Sequence, residues 1–235
     1  MLRIFAGCLF TFGALVGLVF FAVGSFADLE SVLFGFDRYG YKMASSFDCP
    51  VLLDAQETGV VRFVITNRTK TNIRPNVVFQ TSAFPIFRTE RQVIALAPGE
   101  KAVLEWTVGQ EDLAYRHFIF AKVYTFASYP APDVEQTCGI LVLDLPFLTG
   151  AQAVALLVVV SLVSMGVGGG LWMIQQSVEG QGRSTWSVML TLAGVVLVGM
   201  GSVWLAIWPL GVLLATLSLV LIGVIVGHFV QGGST

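Results

Sequence analysis

Residues that could carry out catalysis are scarce in this chain of 235 residues, which contains two histidines and three cysteines. His117 and His228 lie far apart, and no Cys-x-x-Cys or His-Glu-x-x-His pattern brings metal ligands together. No Gly-x-Ser-x-Gly elbow is present, and no glycine-rich phosphate loop follows a strand. The sequence therefore predicts a protein that is not an enzyme and has no catalytic, cofactor-binding or metal-binding residues.

Charge is confined to the middle of the chain. Thirteen basic and fifteen acidic residues give a net charge of −2, and only Arg3, Glu179 and Arg183 lie outside the segment from Asp28 to Asp144. The flanking blocks are apolar, and the mean hydropathy of the whole chain is +0.80. Because no basic run could hold a phosphate backbone, the sequence excludes a nucleic-acid-binding protein. It predicts two membrane blocks around one polar domain.

The apolar blocks are long enough for four transmembrane helices, since roughly 20 apolar residues span a bilayer core. We predict helix 1 in residues 1–27 as an uncleaved anchor, although Arg3 and Ser25-Phe26-Ala27 also fit a cleaved signal peptide. Three further helices are expected at 146–175, 186–207 and 208–235. Residues 176–185 are polar and are expected to form a cytoplasmic loop.

The orientation follows from two arginines. Arg3 and Arg183 are the basic residues of the short segments, and four spans put both on one side, which the positive-inside rule makes the cytoplasm. Both termini are then cytoplasmic, and the polar domain is extracytoplasmic at the plasma (inner) membrane. Cys49 and Cys138 bracket that domain, and an oxidising compartment would allow them to form a disulfide. The alternative is two buried free thiols.

The polar domain shows the two-residue alternation that is typical of half-buried strands. Val61, Phe63 and Ile65 form one apolar face, and Ala102 to Val108 repeat the pattern after an Ala-Pro-Gly-Glu turn. Other strand signals lie at 51–53, 76–82, 92–96, 118–126 and 138–143. Residues 49–145 therefore hold about seven short strands, a number that is typical of a β-sandwich.

The Ala-Pro-Gly-Glu turn with its alternating strand, and the strand that ends in Thr66-Asn67, look like immunoglobulin-like or fibronectin-like modules of bacterial exported proteins. The resemblance covers about residues 48–144. It implies an α+β membrane protein with an immunoglobulin-like β-sandwich between helices 1 and 2, and it implies no activity. A bridge between Cys49 and Cys138 would join the two ends of this domain, unlike the antibody bridge between interior strands.

Residues 28–48, between helix 1 and the sandwich, are rich in aromatic side chains. This composition fits a short helix or loop in the lipid headgroup region. A first strand or a lid that covers the sandwich fits equally well. The segments Arg88–Arg91 and Tyr129–Asp133 are expected to be exposed loops, and a partner could bind at either.

Small residues recur at four-residue spacing in the predicted helices. The stripes are Gly13 with Gly17, Gly166 with Gly170, and Gly211 with Ala215, Gly223 and Gly227. Small residues let helix backbones approach closely, so these stripes are expected to pack within the chain or against another protein. The cores of the spans lack ionisable side chains, which disfavours an ion or proton pathway.

These features lead us to expect a non-enzymatic accessory or scaffold subunit of a larger membrane-protein complex, with the sandwich making protein contacts. The alternative is a free-standing receptor, adhesion or sensing protein that binds an external ligand through the sandwich. The expected partners are membrane lipid and that complex, and the sequence does not identify a small-molecule ligand. Asn67 begins an Asn-Arg-Thr sequon and is a candidate glycosylation acceptor.

Overall fold

The two apolar blocks and the polar domain fold into two separate units. The computed structural model describes residues 2–34, 36, 42–43, 46–83, 86–126, 133–179, 183–205 and 207–232. Within those ranges the chain is α+β, with four helices and two β-sheets. One unit comprises Met1–Phe26 and Ala153–Thr235, and the other comprises Ala27–Gln152. We call them the helical unit and the β unit.

The helices are α1 (Leu2–Leu33), α2 (Gly150–Glu179), α3 (Arg183–Trp204) and α4 (Trp208–Gly232). In the described part of the chain, three stretches are long and apolar enough to cross a membrane, judged by length and composition: Ile4–Leu33, Gly150–Gln175 and Trp186–Trp204. The apolar stretch described in α4, Trp208–Gly223, is shorter. The chain thus has the helices of a membrane protein.

Helix boundaries differ from the prediction at several ends. Helix α1 continues past residue 27 to Leu33. The loop predicted at 176–185 is wrong for most of its length, because α2 runs to Glu179 and α3 begins at Arg183. Polar residues such as Gln and Glu are good helix formers, so polarity alone does not end a helix. Helix α2 begins at Gly150 rather than at residue 146, where Thr149 and Gln152 form a capping box.

Ten strands are present in the described residues of the β unit. They are β1 (Lys42–Met43), β2 (Phe47–Asp48), β3 (Leu52–Asp54), β4 (Gly59–Thr66), β5 (Asn76–Thr81), β6 (Arg88–Val93), β7 (Lys101–Val108), β8 (Leu113–Ala114), β9 (Phe118–Phe126) and β10 (Val134–Leu143). The larger sheet has the order β1-β10-β9-β5-β6, with β3 also paired to β10 and β8 to β9, and the smaller has the order β2-β4-β7. Strand β10 is parallel to β1 and β3 and antiparallel to β9.

One hydrophobic core contains side chains from both sheets. The smaller sheet contributes the alternate apolar side chains of β4 and β7, as the sequence predicted. The larger sheet contributes side chains from β5, β9 and β10. The rings of Phe79 and Trp106 stack across this core with centroids 4.5 Å apart. The Cys49–Cys138 disulfide is present and connects the segment before β3 to β10.

The loop predicted at Arg88–Arg91 is wrong, because these residues belong to strand β6. These residues form an edge strand paired with β5, and the strand predicted at 92–96 lies earlier in the chain. Charged residues are common on edge strands because they discourage pairing with another chain, so this segment lacks the apolar alternation of an interior strand. Of the loop predicted at Tyr129–Asp133, only Asp133 lies within the described residues.

The end of α1 covers the outer face of the larger sheet. On that face of β9, Phe120 and Lys122 are fully buried. The ring of Phe34 lies 4.7 Å from that of Phe120, and Ser31 Oγ donates to Thr137 Oγ1 at 3.2 Å. For the described part of residues 28–48, this arrangement fits the alternative of a cover over the strands. Residues 35, 37–41, 44 and 45 of this segment lie outside the described residues.

Candidate functional site

The helical unit contains an apolar groove of about 280 Å³ formed by α1, α2 and α3. Phe10, Met165 and Met189 are buried and form its floor, since each is almost inaccessible to solvent. The remaining lining consists of leucines, a tryptophan, an alanine and three glycines: Leu162, Leu190, Leu197, Trp186, Ala193, Gly166, Gly169 and Gly170. Such a surface can bind an apolar partner but supplies no acid, base or nucleophile.

Gly166 and Gly170 leave the α2 wall of this groove open. Apart from the adjoining backbone of α2, a Cβ atom added at either glycine would meet none of the described atoms within 4 Å. Within the described part of the chain, neither glycine therefore packs against another helix. They lie one helical turn apart on one face of α2, which is the spacing at which a second backbone can approach closely.

Gly13 and Gly17, in contrast, pack inside the helical unit. A Cβ at Gly13 would lie 2.7 Å from the Ser161 carbonyl oxygen, and one at Gly17 would lie 2.5 Å from Val196 Cγ1. The Ser161 hydroxyl donates to the Gly13 carbonyl at 2.8 Å, so a hydrogen bond reinforces this close approach. This stripe joins α1 to α2 and α3 and is not available to a partner.

The small residues of the α4 stripe differ in their surroundings, since one packs against α1 and another is exposed. A Cβ at Gly211 would overlap the Ser25 hydroxyl, so this glycine packs against α1. Ala215 is half-buried, and a Cβ at Gly223 would meet none of the described neighbours within 4 Å. Gly227 lies in α4, outside the part of that helix whose surroundings are described. Sequence spacing also missed Gly168, where a Cβ would lie 2.5 Å from the Phe10 backbone nitrogen.

A buried charged cluster lies at the edge of the β unit. Asp112 is fully buried and accepts hydrogen bonds from Thr81 Oγ1 at 2.5 Å and from the Gly109 N–H at 3.1 Å. Arg88 Nη1 lies 3.2 Å from Asp112 Oδ2, and Arg88 also donates to the Thr107 carbonyl. Through these contacts the cluster links β5, β6 and β7 to the turn that contains Asp112, so its role is structural. No sequence pattern signals it, since Thr81 and Arg88 lie on separate strands and Asp112 lies in a short 3-10 helix after β7.

Two carboxylates hold the loop between β10 and α2. Asp54 Oδ1 accepts from the Leu145 N–H at 2.8 Å, and this bond, with others from Gln56 and Ala55, lowers the pKa of Asp54. Glu57 Oε2 accepts from the Gly150 N–H at 2.7 Å. A carboxylate is favourable at this position because the first backbone N–H groups of a helix lack internal partners. Sequence analysis singled out neither residue.

The structure argues against glycosylation of folded Asn67. Its side chain is fully buried, and Nδ2 donates to the carbonyls of Thr71 at 2.8 Å and Leu96 at 3.0 Å. Asn67 Oδ1 accepts from the Thr69 N–H at 2.9 Å. The sequon therefore lies in the turn after β4, and the side-chain amide of Asn67 stabilises that turn through its hydrogen bonds.

Of the two histidines, the structure describes the side chain of one. His117 is exposed in the turn between β8 and β9. His228 lies in α4, outside the part of the helix whose side chains are described. Among the described residues, no group of three His, Cys, Asp or Glu side chains could hold a metal ion.

Comparison with known proteins gives only distant similarity. The chain matches no protein-family model and no curated protein. The CARDB domain of a Pyrococcus furiosus protein, solved in complex with di-metal ions, is 10% identical over 46% of this chain and 98% of that one, with a TM-score of 0.34.

Two β-glucosidases are also similar to part of the chain. The Erythrobacter marinus enzyme is 20% identical with a TM-score of 0.31, and the Listeria innocua enzyme, solved with glucose, is 17% identical with a TM-score of 0.28. Each match covers 42% of this chain, which spans only 15% and 16% of those enzymes. Similarity at this level carries no conclusion about activity.

Proposed function

We propose that this protein is a non-enzymatic accessory or scaffold subunit of a larger membrane complex. Its helical groove takes a transmembrane helix of a partner protein, and its β unit makes further protein contacts. The observation that carries the proposal is the open pair Gly166 and Gly170, which lie on the wall of an apolar groove and pack against no other described element.

A helix fits this groove for a physical reason. In a membrane, helices are not driven together by the hydrophobic effect, so association depends on close van der Waals packing and favours small residues at the contact. The two glycines allow backbone approach, while Met165 and Met189 on the floor have flexible side chains that adapt to an incoming surface.

The proposal includes four spans and an extracytoplasmic, immunoglobulin-like β-sandwich. Helix α4 has 25 residues, which supports a fourth span because roughly 20 are needed. Two sheets that share one core support the sandwich. The Cys49–Cys138 disulfide supports an oxidising compartment for the β unit, and hence cytoplasmic termini at the plasma (inner) membrane.

Cysteine labelling tests this orientation. In a Cys8→Ala background, Lys70→Cys introduces an exposed thiol in the β unit, and Gln181→Cys adds a thiol to the stretch of sequence between α2 and α3. We expect a membrane-impermeant maleimide to label Lys70→Cys in intact cells and Gln181→Cys only after the membrane is opened. The reverse pattern would invert the topology. The denatured Cys8→Ala protein should bind maleimide only after reduction, and labelling without reductant would refute the disulfide.

Leucine substitutions in the groove test the partner. We expect Gly166→Leu and Gly170→Leu to reduce recovery of a stoichiometric membrane partner about tenfold in mild detergent, which corresponds to about 1.4 kcal/mol. The cause is that the leucine side chain fills the space needed by the partner backbone. Gly194→Leu is the matched control, because Gly194 is an equally open glycine of α3 that does not line the groove.

Two results would contradict the accessory-subunit proposal. One is purification of the unsubstituted protein as a solitary monomer. The other is a homo-oligomer that the groove substitutions dissociate, because the groove would then hold a second copy of this chain. Equal loss of the partner in Gly194→Leu would show that the groove is not the contact.

A further inference from the structure

We propose that Phe147 is an aromatic anchor that inserts into the headgroup region of the bilayer; this inference rests on the membrane location proposed above. Phe147 lies in the loop between β10 and α2, and its side chain is fully exposed. Its backbone φ is +74°, a left-handed conformation that is rare for a bulky residue. A large apolar side chain held exposed by an unfavourable backbone conformation indicates a function for the exposure.

Hydrogen bonds fix the chain on both sides of Phe147. The Leu145 N–H donates to Asp54 Oδ1 at 2.8 Å, and the Gly150 N–H donates to Glu57 Oε2 at 2.7 Å. The hydroxyl of Thr149 accepts from the Gln152 N–H at 3.2 Å. Because both ends of the short loop are held by the β3–β4 turn and by the helix cap, the Phe147 ring is presented outward.

The neighbouring span puts this ring at the level of the headgroups. Gly150–Gln175 has 26 residues, which as a helix measure about 39 Å. The hydrocarbon core is about 30 Å thick, so the ends of this span extend into the headgroup region. Phe147 lies three residues before the span. Aromatic rings are favoured at this depth, where the lipid headgroups shield them in part from water, so lipid is the occupant that covers Phe147.

A fluorescent probe at three positions tests the anchor in the full chain. Phe147→Cys, Lys101→Cys and Leu157→Cys are each made in the Cys8→Ala background, labelled with the dye NBD and reconstituted into phosphatidylcholine vesicles. Lys101 is an exposed residue paired with Thr66 at the end of β4, roughly 23 Å along the strand from Gly59 beside the β3–β4 turn. Leu157 is exposed on α2 within the span. One dye per chain shows that the disulfide is intact.

We expect the probe at Phe147 to be quenched by lipids carrying a nitroxide near the headgroup and to lose most of the iodide quenching seen at Lys101. The probe at Leu157 should be quenched by nitroxides deep in the acyl chains.

Three outcomes would contradict these expectations. If iodide quenches the Phe147 probe as strongly as the Lys101 probe while the Leu157 probe is embedded in lipid, the anchor is refuted and the membrane location stands. If Leu157 is quenched by iodide, the membrane location itself fails. If the Phe147 probe is shielded from iodide but no nitroxide lipid quenches it, protein covers the ring and the anchor is refuted.

Discussion

Replacement of Asp112 with alanine is expected to lower the stability of the β unit by about 3 to 5 kcal/mol, because Asp112 is fully buried and each buried donor left without an acceptor costs about 1 to 3 kcal/mol. The substitution leaves the Thr81 hydroxyl and the Gly109 N–H without their acceptor. It also removes the carboxylate that Arg88 contacts at 3.2 Å. Pulse proteolysis of the detergent-solubilised protein in rising urea measures the change as a lower midpoint.

The control is an ion pair with equally good geometry on the surface. Arg62 and Glu105 pair across β4 and β7 at 2.8 Å, but their side chains are 55% and 50% exposed. Glu105→Ala should therefore cost less than about 1 kcal/mol, as exposed pairs do. Equal costs for Asp112→Ala and Glu105→Ala would contradict the structural role of the buried cluster. Asp112→Asn, which keeps the shape and one acceptor, should fall between them.

Replacement of Gly139 with alanine is expected to detach the end of α1 from the larger sheet. An added Cβ would overlap the carbonyl group of Ala27, and this obstacle is backbone that cannot rotate away. Overpacking of this kind costs about 1 to 3 kcal/mol, and occasionally more. The shift would also break the bond from the Gly139 N–H to Asp28 Oδ1 at 3.1 Å, leaving a buried carboxylate unpaired. The total loss should therefore exceed about 3 kcal/mol.

Gly109→Ala provides the matched control for this substitution. The nearest atom to its Cβ would be Glu111 Oε2 at 3.1 Å, which is the end of an exposed and flexible side chain. We expect Gly109→Ala to change the urea midpoint little in the same pulse-proteolysis measurement. If Gly139→Ala is as stable as Gly109→Ala, the close contact between α1 and β10 is not a determinant of stability.

Patterns that depend on local periodicity were predictable from the sequence. The alternation around Val61 and Trp106 identified β4 and β7, because each strand has one buried and one exposed face. Strand β6 was predicted too late in the chain, at 92–96, because it is an edge strand whose charged residues at 88–91 resemble a loop. The end of α1 was missed because Asp28 suggested the start of the polar domain, whereas it accepts a hydrogen bond from the Gly139 N–H.

The candidate site was predictable only in part. Four-residue spacing identified Gly166 and Gly170, but it did not distinguish them from Gly13 and Gly17, which pack internally. The distinction depends on the rotation of each helix about its axis, which decides the residues that face a neighbouring helix. Glycines lie on several faces of α2, so the sequence does not show which of them faces another helix. The anchor at Phe147 was also missed, because its exposure follows from hydrogen bonds to a distant turn.

The position of β10 has a consequence for how the protein is made. This last strand lies between β1 and β9 in the larger sheet, also pairs with β3, and carries the cysteine that bonds to Cys49. Until the ribosome has produced the chain as far as Leu143, the strands made earlier lack their central neighbour and Cys49 lacks its partner. In the proposed topology the polar domain therefore crosses the membrane unfolded, and its folding is completed on the far side only as α2 begins to insert.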